Sequence, residues 1–160
     1  MNKATKEILS VLLIILVIAA VICFQFQKGV GEVDVPSSGN EYVVNFNELN
    51  ENIYFHAGSW GVAGNHEEII LSTEPINENR KYSKDKDYIF YTSDVYYQKK
   101  GIDTLIIYAG LSSIGPYPKS FKSAAKVIIQ ELKNYDEVSD YDNNYKKYGL
   151  SKVTIYTDKE

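Results

Sequence analysis

An uncharged run of 17 residues near the amino terminus, residues 8–24 (ILSVLLIILVIAAVICF), most constrains how this chain can fold. As a helix, the run would extend over roughly 26 Å, close to the thickness of the hydrocarbon core of a bilayer. The rest of a 160-residue chain makes a domain too small to bury such a run on one helix. Because backbone amides in lipid must be paired within the segment, we expect one transmembrane helix over residues 8–26.

The charges on either side of the run predict its orientation. Lys3 and Lys6 precede the run, whereas Glu32 and Asp34 follow it beyond a single lysine. Lysine is retained on the cytoplasmic side of a membrane. We therefore expect residues 1–7 inside the cell and everything after the helix outside it.

Two other fates of the amino-terminal run stay open. A cleavable signal peptide has the same pattern, although the small residues of a cleavage site are missing from the end of the run. Cys23, the only cysteine, could carry lipid, but a bacterial lipobox needs a small residue where Ile22 stands. The simpler interpretation makes Cys23 an apolar helix residue. With one cysteine, the outer domain is expected to fold without a disulfide.

The composition then changes and divides the remainder of the chain into a tether and a domain. Residues 27–40 hold three glycines, a proline and two serines, which predicts a flexible tether. Over residues 41–160, short runs of β-branched and aromatic residues alternate with turn signals, without helical crossovers. The pattern predicts a mostly antiparallel β (α+β) domain, either one sheet or a small sandwich. The expected strands are 41–46, 52–56, 66–72, 87–92, 95–98, 103–109, 124–132 and 150–157.

One amphipathic helix is expected near the carboxyl end of this domain. Its apolar stripe repeats every three or four residues and consists of Tyr135, Val138, Tyr141, Tyr145 and Tyr148. Asn134 is suited to cap the first turn, Lys146 and Lys147 would lie in the last turn, and Gly149 would end the helix. The preceding segment, 124–132, could also be helical, but its VII run favours a strand.

The most distinctive polar and aromatic residues lie in and beside the stretch 58–68 (GSWGVAGNHEE). The only tryptophan, Trp60, is close in sequence to His56, His66 and Glu68, and we expect these four residues as a candidate binding surface. The glycines match neither a P-loop nor a dinucleotide-binding fingerprint. The alternative is a turn that requires glycine, with Trp60 anchored in the core.

A metal ion at this stretch would be held by His56, His66, Glu67 and Glu68, since imidazole and carboxylate ligands suit zinc. On a strand, however, Glu67 points away from its two neighbours, and no HExxH helix is present. Residues 140–144 (DYDNN) match the first ligands of a calcium loop but lack the glycine and glutamate that follow them. We therefore expect neither a metal nor a cofactor.

Nucleophilic catalysis would depend on Ser112 or Ser113, which lie one residue off the G-x-S-x-G pattern. Their base would be His66 or His56, and no orienting acid accompanies the pair. We therefore expect no enzyme activity, with a small hydrolase as the weaker alternative. The 14 tyrosines either pack within strands or form a stacking surface for sugars or a partner protein.

The charge balance and one resemblance complete the expected function. A formal net charge of −4 argues against a nucleic-acid partner. The run SWGVAGNHEEIILS, followed by a polar turn, DYIFY and DTLIIYA, resembles small bacterial envelope-anchored β-rich proteins and implies no particular reaction or ligand. We expect a membrane-anchored extracytoplasmic binding or structural module of the cell envelope, with the bilayer, an envelope protein or a glycan as its partners. A small-ligand or metal-binding domain is the alternative.

Overall fold

The computed structural model describes residues 39–60, 66–77 and 81–156, and the first of its two sheets is a simple antiparallel meander. Its strands are β1 (Gly39–Phe46), β2 (Glu51–Trp60), β3 (His66–Ser72) and β4 (Tyr88–Phe90), hydrogen-bonded in the order of the chain. A short 3₁₀ turn, Asn47–Leu49, joins β1 to β2. Each strand thus pairs with the next one in the antiparallel direction, which a connection as short as the one between β1 and β2 requires.

The second sheet is mixed. Its strands are β5 (Asp94–Lys100), β6 (Thr104–Gly110), β7 (Lys126–Leu132) and β8 (Ser151–Thr154), in the spatial order β7-β6-β5-β8. Gly101, with φ of +64°, lies in the turn between β5 and β6. In contrast to its neighbours, β7 runs parallel to β6. The 111–125 connection is long enough for a parallel crossover, although it contains only a 3₁₀ turn, Leu111–Ser113.

The core lies between the two sheets and is apolar. In β6 burial alternates with period two, so that Leu105, Ile107 and Ala109 face inward. The core residues come from both sheets: Val44, Phe46, Ile53, Phe55, Ala57, Ile69, Leu71 and Phe90 from the first, and Val95, Leu105, Ile107, Ala109 and Val153 from the second. The domain is therefore mostly antiparallel β with one helix, and the two sheets form a small sandwich.

The helix, α1 (Tyr135–Asn144), packs on the outer face of the second sheet. Asn134 caps it as predicted, because its Oδ1 accepts a hydrogen bond from the Glu137 amide at 2.9 Å. Tyr141 packs against the Tyr108 ring, with centroids 5.3 Å apart. The helix ends earlier than expected, so Lys146 and Lys147 lie in the turns that follow it rather than in its last turn.

The elements agree with the predicted strands in number and differ from them at their ends. Strand β2 continues to Trp60, so the glycine-rich stretch is partly strand, and β4 is only three residues long. Strand β1 begins two residues before the predicted start. The predicted transmembrane helix over residues 8–26 and residues 27–38 of the tether lie outside the described residues. Over the ranges that the structure describes, no helix is both long and apolar enough to cross a membrane.

The two sheets are also joined by hydrogen bonds along one edge of the sandwich. The Tyr42 hydroxyl on β1 donates to the Thr154 carbonyl of β8 at 2.9 Å and accepts from the Thr154 amide at 3.3 Å. Asn40 donates to the same carbonyl at 3.2 Å, and Lys99 donates to the Asn45 carbonyl at 2.6 Å. These side chains satisfy backbone groups at open strand edges, which would otherwise be unpaired.

Replacing Tyr42 with phenylalanine should destabilise the domain by about 1 kcal/mol, since one hydroxyl serves both backbone groups of Thr154. Urea unfolding of the full chain in detergent would measure this loss. The matched control is Tyr117→Phe, because Tyr117 is exposed and its hydroxyl makes no hydrogen bond among the described residues. Equal stability of the two variants would show that Tyr42 does not link the sheets.

Candidate functional site

The four residues of the predicted binding surface lie on one face of the first sheet. Cα pairs between β2 and β3 join His66 to Trp60, Glu68 to Gly58, and Ile70 to His56. Phe55 and Ala57, the alternate positions of β2, belong to the core, so the four predicted positions fall on the outer face. The Trp60 side chain lies outside the described part of the structure. The β2–β3 register thus brings the four positions to one face, and whether they form a site depends on which of their side chains are accessible.

His56 is a packing residue rather than an accessible ligand. Its side chain is buried, and neither ring nitrogen has a hydrogen-bond partner or contact with solvent in the described ranges. A Cβ placed on Gly39 would lie 2.8 Å from His56 Nε2, so the ring fits against the first residue of β1. Burial lowers the pKa of His56, and the nearby charge of Glu41 opposes this only in part. His56 is therefore kept neutral in the folded domain.

His66 and Glu68 line a hollow of about 240 Å³ together with Glu67 and Tyr91. Glu68 accepts a hydrogen bond from the Tyr82 hydroxyl at 2.9 Å, and Glu67 accepts one from the Tyr156 hydroxyl at 2.5 Å. His56 does not line this hollow. Among the residues that the structure describes, no three histidine, cysteine or acidic side chains are grouped so as to hold a metal ion.

A larger cavity, of about 390 Å³, lies where the parallel strands end. Gly110 of β6 and Leu132 of β7 pair at the carboxyl ends of these strands, and α1 begins three residues later at the same edge. The carboxyl ends of parallel strands are a common location for ligand sites in proteins. The side chains that matter most for binding chemistry are Tyr91, Asp94, Ser112, Tyr135, Ser139 and Asp142.

The cavity shares lining residues with two neighbouring hollows. A hollow of about 490 Å³ shares Ser112 and Tyr135 with it and adds Lys133 and Asn134. Tyr91 lines both the cavity and the hollow at His66 and Glu68. We call these three neighbouring spaces the trough. Its shared residues include two exposed rings, Tyr91 at 45% and Tyr135 at 83% exposure.

An ionic network lies at the middle of the trough. Lys152 Nζ lies 2.9 Å from Asp142 Oδ1 and 3.3 Å from Asp94 Oδ1, and the Tyr96 hydroxyl donates to Asp142 Oδ1 at 2.8 Å. Hydrogen bonds from Lys152 and Tyr96 lower the pKa of Asp142. Burial alone would lower the pKa of Lys152, but its bond to Asp142 and the charge of Asp94 outweigh burial and raise it. The aspartate and the lysine therefore remain charged across the physiological range.

Burial and the hydrogen bond to Asp142 both raise the pKa of the Tyr96 hydroxyl, which therefore stays protonated and continues to donate. Tyr96 also packs against the Tyr145 ring, with centroids 5.6 Å apart. The position of Asp142 at the trough is thus fixed by contacts with the second sheet.

The serine and histidine of the hydrolase alternative lie in different parts of the trough. Ser112 and Ser113 line the central cavity, whereas His66 lines the hollow beyond Tyr91. The Ser113 hydroxyl donates to the Gly110 carbonyl at 2.7 Å. Within the described ranges, no hydrogen bond joins His66 to either serine, so the nucleophile–base pair that catalysis needs is not formed.

Sequence reasoning missed Asp94 and Tyr135 as site residues and dismissed Asp142 along with the calcium loop. Asp94 lies on β5, whereas Tyr135 and Asp142 lie on α1, and the second sheet brings these two elements together. The parallel pairing of β6 and β7 creates that meeting point. The helix pattern placed Tyr135 at the start of the apolar stripe, whereas the structure shows that its side chain is largely exposed.

The buried His56 predicts an acid-sensitive stability. Because its pKa in the fold is below the ordinary value of 6.5, the unfolded chain binds more protons as the pH falls below that value. Stability should thus be complete above about pH 6.5 and decrease on acidification until the folded-state pKa is passed. Thermal unfolding at several pH values would show a shallower decrease for His56→Leu than for the exposed control His66→Leu. Parallel curves for the two variants would contradict the prediction.

Models of known protein families, curated proteins and solved structures were compared with the chain, and none of them matches it.

Proposed function

We propose that the chain is a single-pass membrane protein of the cell envelope whose outer domain binds a glycan strand along the trough. The apolar run over residues 8–26 and the tether over 27–40 support the anchoring, and Lys3 and Lys6 support an outward-facing domain. The resemblance to envelope-anchored β-rich proteins is consistent with this placement. A tether of this length would let the domain reach material close to the membrane surface.

The observation that carries the proposal is that the exposed rings of Tyr91 and Tyr135 each line two neighbouring hollows of the trough. Three neighbouring hollows suit a chain of repeated units better than one compact ligand. Tyr91 and Tyr135 present exposed rings on which the apolar faces of sugar rings could stack. The hydroxyls of Ser112 and Ser139 line the same space and suit the hydroxyl groups of a saccharide.

Binding fits the geometry better than hydrolysis. Hydrolysis of a glycosidic bond needs one carboxyl group that is protonated at the working pH. Asp142 is held ionised by Lys152 and Tyr96, which makes it a poor proton donor. The serine route lacks a base, as the separation of His66 from Ser112 and Ser113 indicates.

The anchoring is tested by fractionation of cells that express the full chain. We expect the protein in the carbonate-resistant membrane fraction, with its domain cleaved by protease added outside intact spheroplasts. Recovery of the chain in the soluble fraction, or a domain protected until the membrane is disrupted, would refute the proposed location.

The binding is tested with a panel of soluble oligosaccharides and the full chain in a detergent that has no sugar headgroup. Tyr91→Ala and Tyr135→Ala should each weaken binding about two- to tenfold, since an aromatic contact contributes about 0.5–1.5 kcal/mol. The control is Tyr117→Ala, an exposed tyrosine that does not line the trough. No binding by any oligosaccharide, or equal losses in all three variants, would refute glycan recognition at the trough.

A further inference from the structure

The charges at the middle of the trough are not balanced. A single ammonium group, that of Lys152, lies between the carboxylates of Asp94 and Asp142. It is hydrogen-bonded to Asp142 at 2.9 Å, whereas its 3.3 Å ion pair with Asp94 is not an aligned hydrogen bond. Two carboxylates and one ammonium leave a net negative charge at this point.

Asp142 also retains unused capacity to accept hydrogen bonds. Asp94 Oδ1 is buried and has only its ion pair with Lys152, so Asp94 contributes charge rather than an acceptor that a ligand can reach. Both protein donors to Asp142 reach Oδ1, and no donor among the described residues reaches its Oδ2. The Asp142 side chain is 52% exposed, so a ligand in the cavity has access to it.

The same excess of acceptors recurs at the end of the trough beyond Tyr91. Glu67 and Glu68 both line that hollow, and each receives one tyrosine hydroxyl at one oxygen. At the opposite end, Lys133 is the only charged residue that lines the third hollow within the described ranges. The trough therefore has two acidic positions, and the exposed Tyr91 ring lines the spaces on both sides.

From this arrangement we infer that the trough selects a saccharide whose units carry protonated amino groups. The inference rests on the proposed function, since it takes glycan binding at the trough as given. An ammonium group would donate to Asp142 and approach Asp94, while its sugar ring stacks on Tyr91 or Tyr135. Saccharides with carboxylate or phosphate groups would be repelled by the same side chains.

The test compares two oligomers of equal length that differ only at the amine. Short glucosamine oligomers carry amines that are mostly protonated in mildly acidic buffer, where the comparison is made, whereas N-acetylglucosamine oligomers stay uncharged. We expect the full chain, in a detergent without a sugar headgroup, to bind the amino form at least about tenfold more tightly. The preference should decrease with added salt, because the ion pairs it depends on are partly exposed.

Matched variants separate this selection from general attraction between an acidic protein and a cation. Asp142→Asn and Asp94→Asn should reduce the preference, measured as the ratio of the two dissociation constants, to less than about threefold. The control is Asp140→Asn, which makes the same charge change on the same helix but does not line the trough. The control should retain the full preference.

The outcomes distinguish the two proposals. Equal binding of the two oligomers would overturn the amine selection and leave glycan binding intact. Equal loss of preference in Asp140→Asn and Asp142→Asn would overturn it as well, because the effect would then be one of overall charge. Failure of both oligomers, and of the rest of the saccharide panel, would overturn glycan binding itself and the inference with it.

Discussion

Burial of the inner faces of two sheets against each other is the interaction on which the rest of this domain depends. The inner positions of β2 and β6, Phe55 and Ile107 among them, are fully buried. The only cysteine of the chain is Cys23, in the predicted membrane segment, so no disulfide supplements this packing in the domain. Hydrogen bonds such as those of Tyr42 then fix how the sheet edges meet.

The trough follows from how the second sheet is connected. Because β7 runs parallel to β6, the chain returns to the same edge and starts α1 beside Gly110 and Ser112. An antiparallel β7 would have begun the helix at the opposite edge, away from Asp94 at the start of β5. The packing of Tyr141 against Tyr96 and Tyr108 then holds the helix, and Asp142 with it, over the sheet.

Electrostatics gives this space its chemical character. Lys152 prevents Asp94 and Asp142 from repelling each other strongly, yet it leaves their combined charge negative. Because Lys152 and Tyr96 both bond to Asp142, the network joins β5, β8 and α1. A side chain fixed in this way is pre-organised for a ligand, since little conformational freedom remains to be lost on binding.

The sequence by itself determined the local elements of this protein, because strand alternation, turn residues and helix caps act over a few neighbouring residues. Asn134 at the start of the helix and the strand over 66–72 were predicted correctly on that basis, whereas the helix ends before Gly149, which has a positive φ in the turns that follow. Alternation also placed His66 and Glu68 on one face, whereas the register between β2 and β3 decides that His56 shares it. Only the tertiary structure decided that His56 is buried and that Asp94 and Asp142 share one lysine. Burial and long-range pairing depend on which strands become neighbours, and no local pattern encodes the parallel return of β7 to β6.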